Sequence, residues 1–125
     1  MKYLKTFKNF LCETISFSTD TTGREDWDRD LKKYSKDFTQ LVVEMSPADF
    51  LKRVQYNRFE IDKAKVANFV KKFRGNVKGI PAPTMWFSDK FQYYKGHAPS
   101  FHDGSHRMLA LQEVGVKEVP VNIIY

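Results

Sequence analysis

Residues 61–75, IDKAKVANFVKKFRG, constrain this chain more than any other stretch. Val66, Phe69, Val70 and Phe73 recur at i, i+3, i+4 and i+7, so a helix here carries one apolar stripe and must lay it on another surface. Asp62 suits its N-cap, Lys71, Lys72 and Arg74 suit its last turn, and Gly75 suits a left-handed stop. The surface it needs comes from β-branched runs. QLVVEM (40–45) and VPVNIIY (119–125) read as strands, the second with Pro120 near its start, where a missing N–H is tolerated. SPADFLKRV follows the first strand directly, with Ser46 as N-cap, Pro47 in the first turn and Asp49 beside the dipole. GIPAPTMWF reads as a proline-stiffened entry into a strand, FQYY as its hairpin partner, and SFHDG as a short strand. SHRMLALQEVG is a helix stopped by Gly115. The resulting order of strands and helices predicts an α/β (α+β) domain with a mixed sheet.

At 125 residues, one domain is expected, and 42% apolar residues suffice for one core. The start, MKYLKTFKNFLCE, spaces Tyr3, Leu4, Phe7, Phe10 and Leu11 as an amphipathic helical arm, and TISFSTDTTG reads as a linker or extended arm. The division is therefore residues 1–23 as arm and linker and 24–125 as the folded domain, opening with a surface helix around Trp27, Leu31 and Tyr34. No apolar run approaches the length of a membrane span, and no secretory cleavage pattern is present. Cys12 is the only cysteine, which excludes an intrachain disulfide or a cysteine zinc site and fits a reducing compartment. The three histidines have no metal-ligand spacing. A net charge of +6 favours a nucleic-acid or phosphate-bearing partner.

The feature that calls for chemistry is FHDGSHR (101–107), where a strand feeds a helix. A helix starting after Gly104 leaves its first N–H groups without intrahelical partners, and these favour an anion. Gly104 permits close backbone approach; Ser105, His106 and Arg107 add donors. A cation in a first turn is unfavourable by about 0.3–1 kcal/mol unless an anion sits there. The alternative is plain capping by Asp103, with His106 and Arg107 solvated. Elsewhere, one of Trp86 and Phe87 is expected in the core and the other outside. Phe91, Tyr93 and Tyr94 suit core packing or base stacking, and Lys71, Lys72, Arg74 and Lys78 suit a solvated helix end or a nucleic-acid backbone.

HDGSHRMLALQEVGVKEVPVNII resembles the HDGRHR-A…G…VPV segment of ParB/sulfiredoxin-like domains, and VVEMSPADFL resembles the opening of their phage and plasmid members. The likeness runs in order from about Leu41 to Tyr125. It implies a nucleotide site in which Asp103, Gly104, Ser105, His106 and Arg107 form the phosphate loop. It further implies His106, Arg107, His102 and Glu44 as catalytic candidates, with ATP or CTP as cofactor and Mg2+ arriving on the phosphates. Ser105 stands where sulfiredoxins need cysteine, so reductase activity is not expected. The turn is not the Glu-Arg-Arg of partition proteins and no helix-turn-helix follows within these residues, so partition is not expected either. MKYLKTFKNFLCE also resembles the leader of T-even-type phage internal head proteins, cut after Leu-x-Glu; Leu11, Cys12 and Glu13 match. That likeness implies a chain packaged in the virion head and delivered to the host cytoplasm; the alternative is an ordinary N-terminal helix.

Three functions remain open. The first is a nucleotide-dependent phage enzyme, catalysing phosphoryl transfer or phosphodiester or NTP hydrolysis on or with DNA or RNA. The second is a non-catalytic protein binding nucleic acid or inhibiting a host protein. The third is a small-molecule kinase of the free-serine type.

Overall fold

Ser46 turns the chain from β2 (Gln40–Met45) into α1 (Pro47–Val54): its Oγ accepts the Asp49 N–H at 3.1 Å, and Pro47 opens the helix. The same logic starts α2 (Lys63–Phe73), where Asp62 Oδ1 accepts from the Ala64 and Lys65 N–H groups. These elements belong to a computed structural model that describes residues 15–20 and 38–125. The N-terminal arm, the surface helix expected after residue 24, Cys12 and the Leu11–Glu13 pattern lie outside the described residues. The remaining elements are β1 (Ile15–Ser18), a 3-10 turn (Arg58–Glu60), β3 (Val77–Pro81), β4 (Thr84–Trp86), α3 (Lys90–Tyr94), β5 (Phe101–Asp103), α4 (Ser105–Glu113) and β6 (Val119–Ile124).

The fold is α+β around a mixed four-stranded sheet of order β2-β6-β4-β5. β4 runs parallel to β6, while β2 and β5 run antiparallel to their neighbours. Directly opposed residues share a face. Leu41, Val43, Val121, Ile123, Met85 and His102 therefore point one way, toward α1 and α4. Phe50, Met108, Ala110 and Leu111 close that core and are fully buried. The stripe foreseen on α2 packs as its spacing demands: Val70 and Phe73 are buried, with Val66 and Phe69 packed against the core.

Pro120 lies in an interior strand, yet it breaks no ladder bond. Asn122 donates its N–H toward β4, to Pro83 O at 2.9 Å. Strand alternation aims the Pro120 nitrogen at the same flank, before β4 begins.

The structure corrects three local expectations. FQYY is not a hairpin strand but lies in α3: Asp89 Oδ1 accepts the Gln92 N–H at 2.9 Å, and Gln92 Oε1 accepts the Ser88 N–H at 3.1 Å. This Asp-x-x-Gln spacing is close to a capping box, and it outweighs the β propensity of the aromatics. β5 takes the place beside β4 instead. Within the arm-or-linker stretch, Ile15–Ser18 form a strand parallel to β3, tied down by Ala82 N–H to Ser18 O at 2.8 Å. Gly75 is not left-handed; α2 ends on Arg74 in right-handed geometry. Gly115, by contrast, has φ 88°, and the bonds Gly115 N–H to Gln112 O and Val116 N–H to Leu111 O close α4 in a Schellman motif.

Arg53 is a fixed strut. It donates to the His97 and Tyr93 carbonyls and lies over the Phe87 and Tyr93 rings, anchoring the loop after α3 to α1. Phe87 is the buried member of the Trp86–Phe87 pair. Tyr93 packs on Phe87, while Phe91 and Tyr94 are exposed.

Candidate functional site

β5 delivers His102 and Asp103 to the edge of the sheet, and the chain then reverses through Gly104 into α4. Gly104 has φ 112° and is buried. A Cβ there would lie 2.8 Å from Pro83 Cβ and 3.0 Å from Arg107 Nη2, so glycine is required both by conformation and by space.

Ser46, Asp62 and Asp89 cap α1, α2 and α3 with their side chains, whereas the N-cap of α4 is Gly104, which has no side chain to cap with. Asp103 Oδ2 instead receives Arg107 Nη2 at 3.3 Å, one helical turn away. Arg107 is 13% exposed and Asp103 42%, so the carboxylate lies on the outer side of the pair. Two hydroxyls beside the turn, Ser105 Oγ and Thr84 Oγ1, are buried without a hydrogen-bond partner among the described residues. Thr84 is opposite Asp103 in the sheet, so the two side chains share a face. A buried hydroxyl left unbonded costs about 1–3 kcal/mol, and both oxygens are closed to solvent, so no ligand reaches them unless the turn shifts.

The histidines occupy different surroundings. His102 faces the helical side of the sheet, edge-on to Phe50 at 6.5 Å. Burial pushes its pKa below the ordinary 6.5, against the opposing pull of Asp103 and Glu60. His106 is in the first turn of α4, and its Nε2 accepts the Asp62 N–H at 3.1 Å. That acceptor role requires a neutral ring with its proton on Nδ1. The bond latches the head of α2 to the head of α4.

His102 to Arg107 are consecutive and so lie close together, but His102 points to the helical face of the sheet while Asp103 shares the other face with Thr84. Glu44 does not join them. β2 and β5 are opposite edges of the sheet with β6 and β4 between, which puts Glu44 on the order of 14 Å away across the strands. Glu44 instead lines a separate cleft of about 670 Å³ with Asp49, Lys52, Lys117 and Glu118. Glu60, Asp62 and Thr84 belong to the neighbourhood of the turn, and no local signal reveals this. Asp62 is legible as a cap but not as the partner of a residue far along the chain.

No group of three or more His, Cys, Asp or Glu suited to a metal occurs among the described residues. With Asp103 tied to Arg107, the residues at the turn do not fit a protein-held Mg2+. No helix among the described residues is long and apolar enough to cross a membrane. Comparison of the chain with known protein families, with curated proteins and with solved structures finds no match. The likeness of the turn to ParB/sulfiredoxin-like domains therefore rests on the residues quoted for it.

Proposed function

We propose that the head of α4 binds the phosphates of a nucleoside triphosphate, and that the chain is a nucleotide-dependent phosphotransfer or hydrolytic enzyme. One observation carries the reading: α4 starts on Gly104, so among the described residues its first amides have no N-cap side chain, and the Arg107 guanidinium lies in the same turn. Phosphate oxygens match such donors, which amides and a guanidinium supply together. Burial lowers the His102 pKa and so favours its neutral form, which suits it to take a proton from an attacking water or hydroxyl. As the new P–O bond forms and the bond to the leaving phosphate oxygen breaks, Arg107 and the α4 amides offset the growing negative charge. Any Mg2+ would ride on the phosphate oxygens.

The test is calorimetric binding of ATP and CTP with magnesium, followed by turnover assays with and without DNA. Arg107→Gln weakens binding by roughly 10- to 100-fold, the range of a charge-assisted hydrogen bond. Asp103→Asn tightens it, because the negative charge that competes for the guanidinium is gone. Failure of the wild type to bind either nucleotide, or full binding by a folded Arg107→Gln, overturns the proposal.

A non-catalytic nucleic-acid binder is the second reading, favoured by exposed Lys71, Lys72, Arg74 and Lys78 around the end of α2. It predicts DNA or RNA binding that weakens steeply with salt, without nucleotide turnover.

A further inference from the structure

The 3-10 turn between α1 and α2 holds out the most exposed large apolar side chain among the described residues. Phe59 is 83% exposed. It is nonetheless not on a loose loop. Asn57 Oδ1 accepts the Phe59 N–H at 2.9 Å, and the Glu60 N–H returns to Asn57 O at 3.0 Å. One face of the ring is backed by the Arg58 guanidinium, 5.0 Å from the ring centre. An aromatic ring on a hydrogen-bonded turn, backed on one side by a guanidinium and open to water, can receive a flat partner.

Its position says which partner. Glu60, the next residue, is close enough for its charge to act on His102. Asp62, three residues on, hydrogen-bonds His106 at 3.1 Å. Three residues of chain reach at most about 11 Å, so the Phe59 backbone lies within that distance of Asp62, which bonds the first turn of α4. That is the kind of span that separates the base of a nucleotide from its outer phosphates. We infer that Phe59, backed by Arg58, is the stacking platform for the base of the nucleotide whose phosphates bind at α4. The inference rests on the phosphate-site proposal above and adds a base subsite to it. Stacking on a π face tolerates any base, so this subsite gives affinity for a nucleoside without strong discrimination between ATP and CTP.

The experiment compares ATP with inorganic tripolyphosphate, which has the phosphates but no base. Both are titrated into the wild-type protein, Phe59→Ala, Phe59→Trp and, as a control, Phe91→Ala. Phe91 is a similarly solvated aromatic, 68% exposed, that no described contact links to the turn. Phe59→Ala weakens ATP binding by about 5- to 100-fold and leaves tripolyphosphate unchanged. Phe59→Trp restores ATP affinity, and Phe91→Ala changes neither ligand. A Phe59→Ala protein that binds ATP as the wild type does, or loses ATP and tripolyphosphate alike, overturns the base subsite while leaving the phosphate site standing. If the wild type binds neither ligand, both proposals fall.

Discussion

Replacing Gly104 by alanine separates a turn packed to its limit from an ordinary helix start. Two costs add. At φ 112° an L-residue is strained by about 1–3 kcal/mol. The new methyl also meets Pro83 Cβ at 2.8 Å and Pro83 Cα at 3.1 Å, atoms of a ring and backbone that cannot swing aside. Such overpacking costs about 1–3 kcal/mol more. The third neighbour, Arg107 Nη2 at 3.0 Å, is the end of a flexible side chain and adds little to stability, although it must leave Asp103 to make room. The total, about 2–6 kcal/mol, is a large share of the roughly 5–15 kcal/mol that holds a domain together. For a chain of this size it lowers the melting temperature on the order of 10–20 °C. Gly115→Ala is the control. It has φ 88° but no atom within 4 Å of the added carbon, so only the backbone cost remains, about 1–2 kcal/mol. Thermal melts followed by circular dichroism, run on the two variants side by side, decide the matter. If Gly104→Ala melts within a few degrees of the wild type, or no lower than Gly115→Ala, then the close approach of the turn to Pro83 is not a constraint.

Gly75→Ala has the opposite sign. Gly75 does not have positive φ, and its added carbon would lie 3.5 Å from Lys72 O, an ordinary contact. Reduced unfolded-chain entropy then stabilises the protein by about 0.4–1 kcal/mol, and a lowered melting temperature would contradict this. The pH dependence follows from His102. Its folded pKa is depressed by burial, so its contribution to stability is complete above about pH 6.5 and is lost as pH falls through the lower folded value. Melting temperatures from pH 7.5 to 5 fall less steeply in His102→Gln than in the wild type; an unchanged slope refutes the assignment.

Pattern alone made the helices legible where caps and stripes agree. Ser46 and Asp62 cap the helices they were expected to cap, and Val70 and Phe73 bury the stripe that the spacing drew. It failed where a cap competes with β propensity. FQYY is aromatic enough for a strand, yet Asp89 and Gln92 hold it helical. It also failed where pairing is non-local: nothing in Ile15–Ser18 says that its partner is β3, sixty residues away. The turn was legible as a unit because its residues are consecutive. Its surroundings were not, because Asp62, Glu60 and Thr84 reach it only through the packing of α2 and β4 against α4 and β5.

That packing changes what Arg107 signifies. In the sequence, a cation three residues into a helix points to an external anion. In the fold, Asp103 supplies the counter-charge from the same chain. Arg107 alone therefore no longer argues for a ligand; the first amides of α4, which begins on a glycine among the described residues, are what the proposal rests on. The ion pair instead sets the terms of exchange. With Asp103 42% exposed, separating the pair costs no more than about 1 kcal/mol, the upper range for a partly solvated pair. On the proposed reading, a phosphate that takes over the guanidinium gains a charge-assisted bond of about 1.5–3 kcal/mol and engages the amides as well, so the balance favours the phosphate. Asp103 on that reading keeps Arg107 aimed at the head of α4 until a stronger acceptor arrives, so that removing its charge tightens binding while removing Arg107 weakens it.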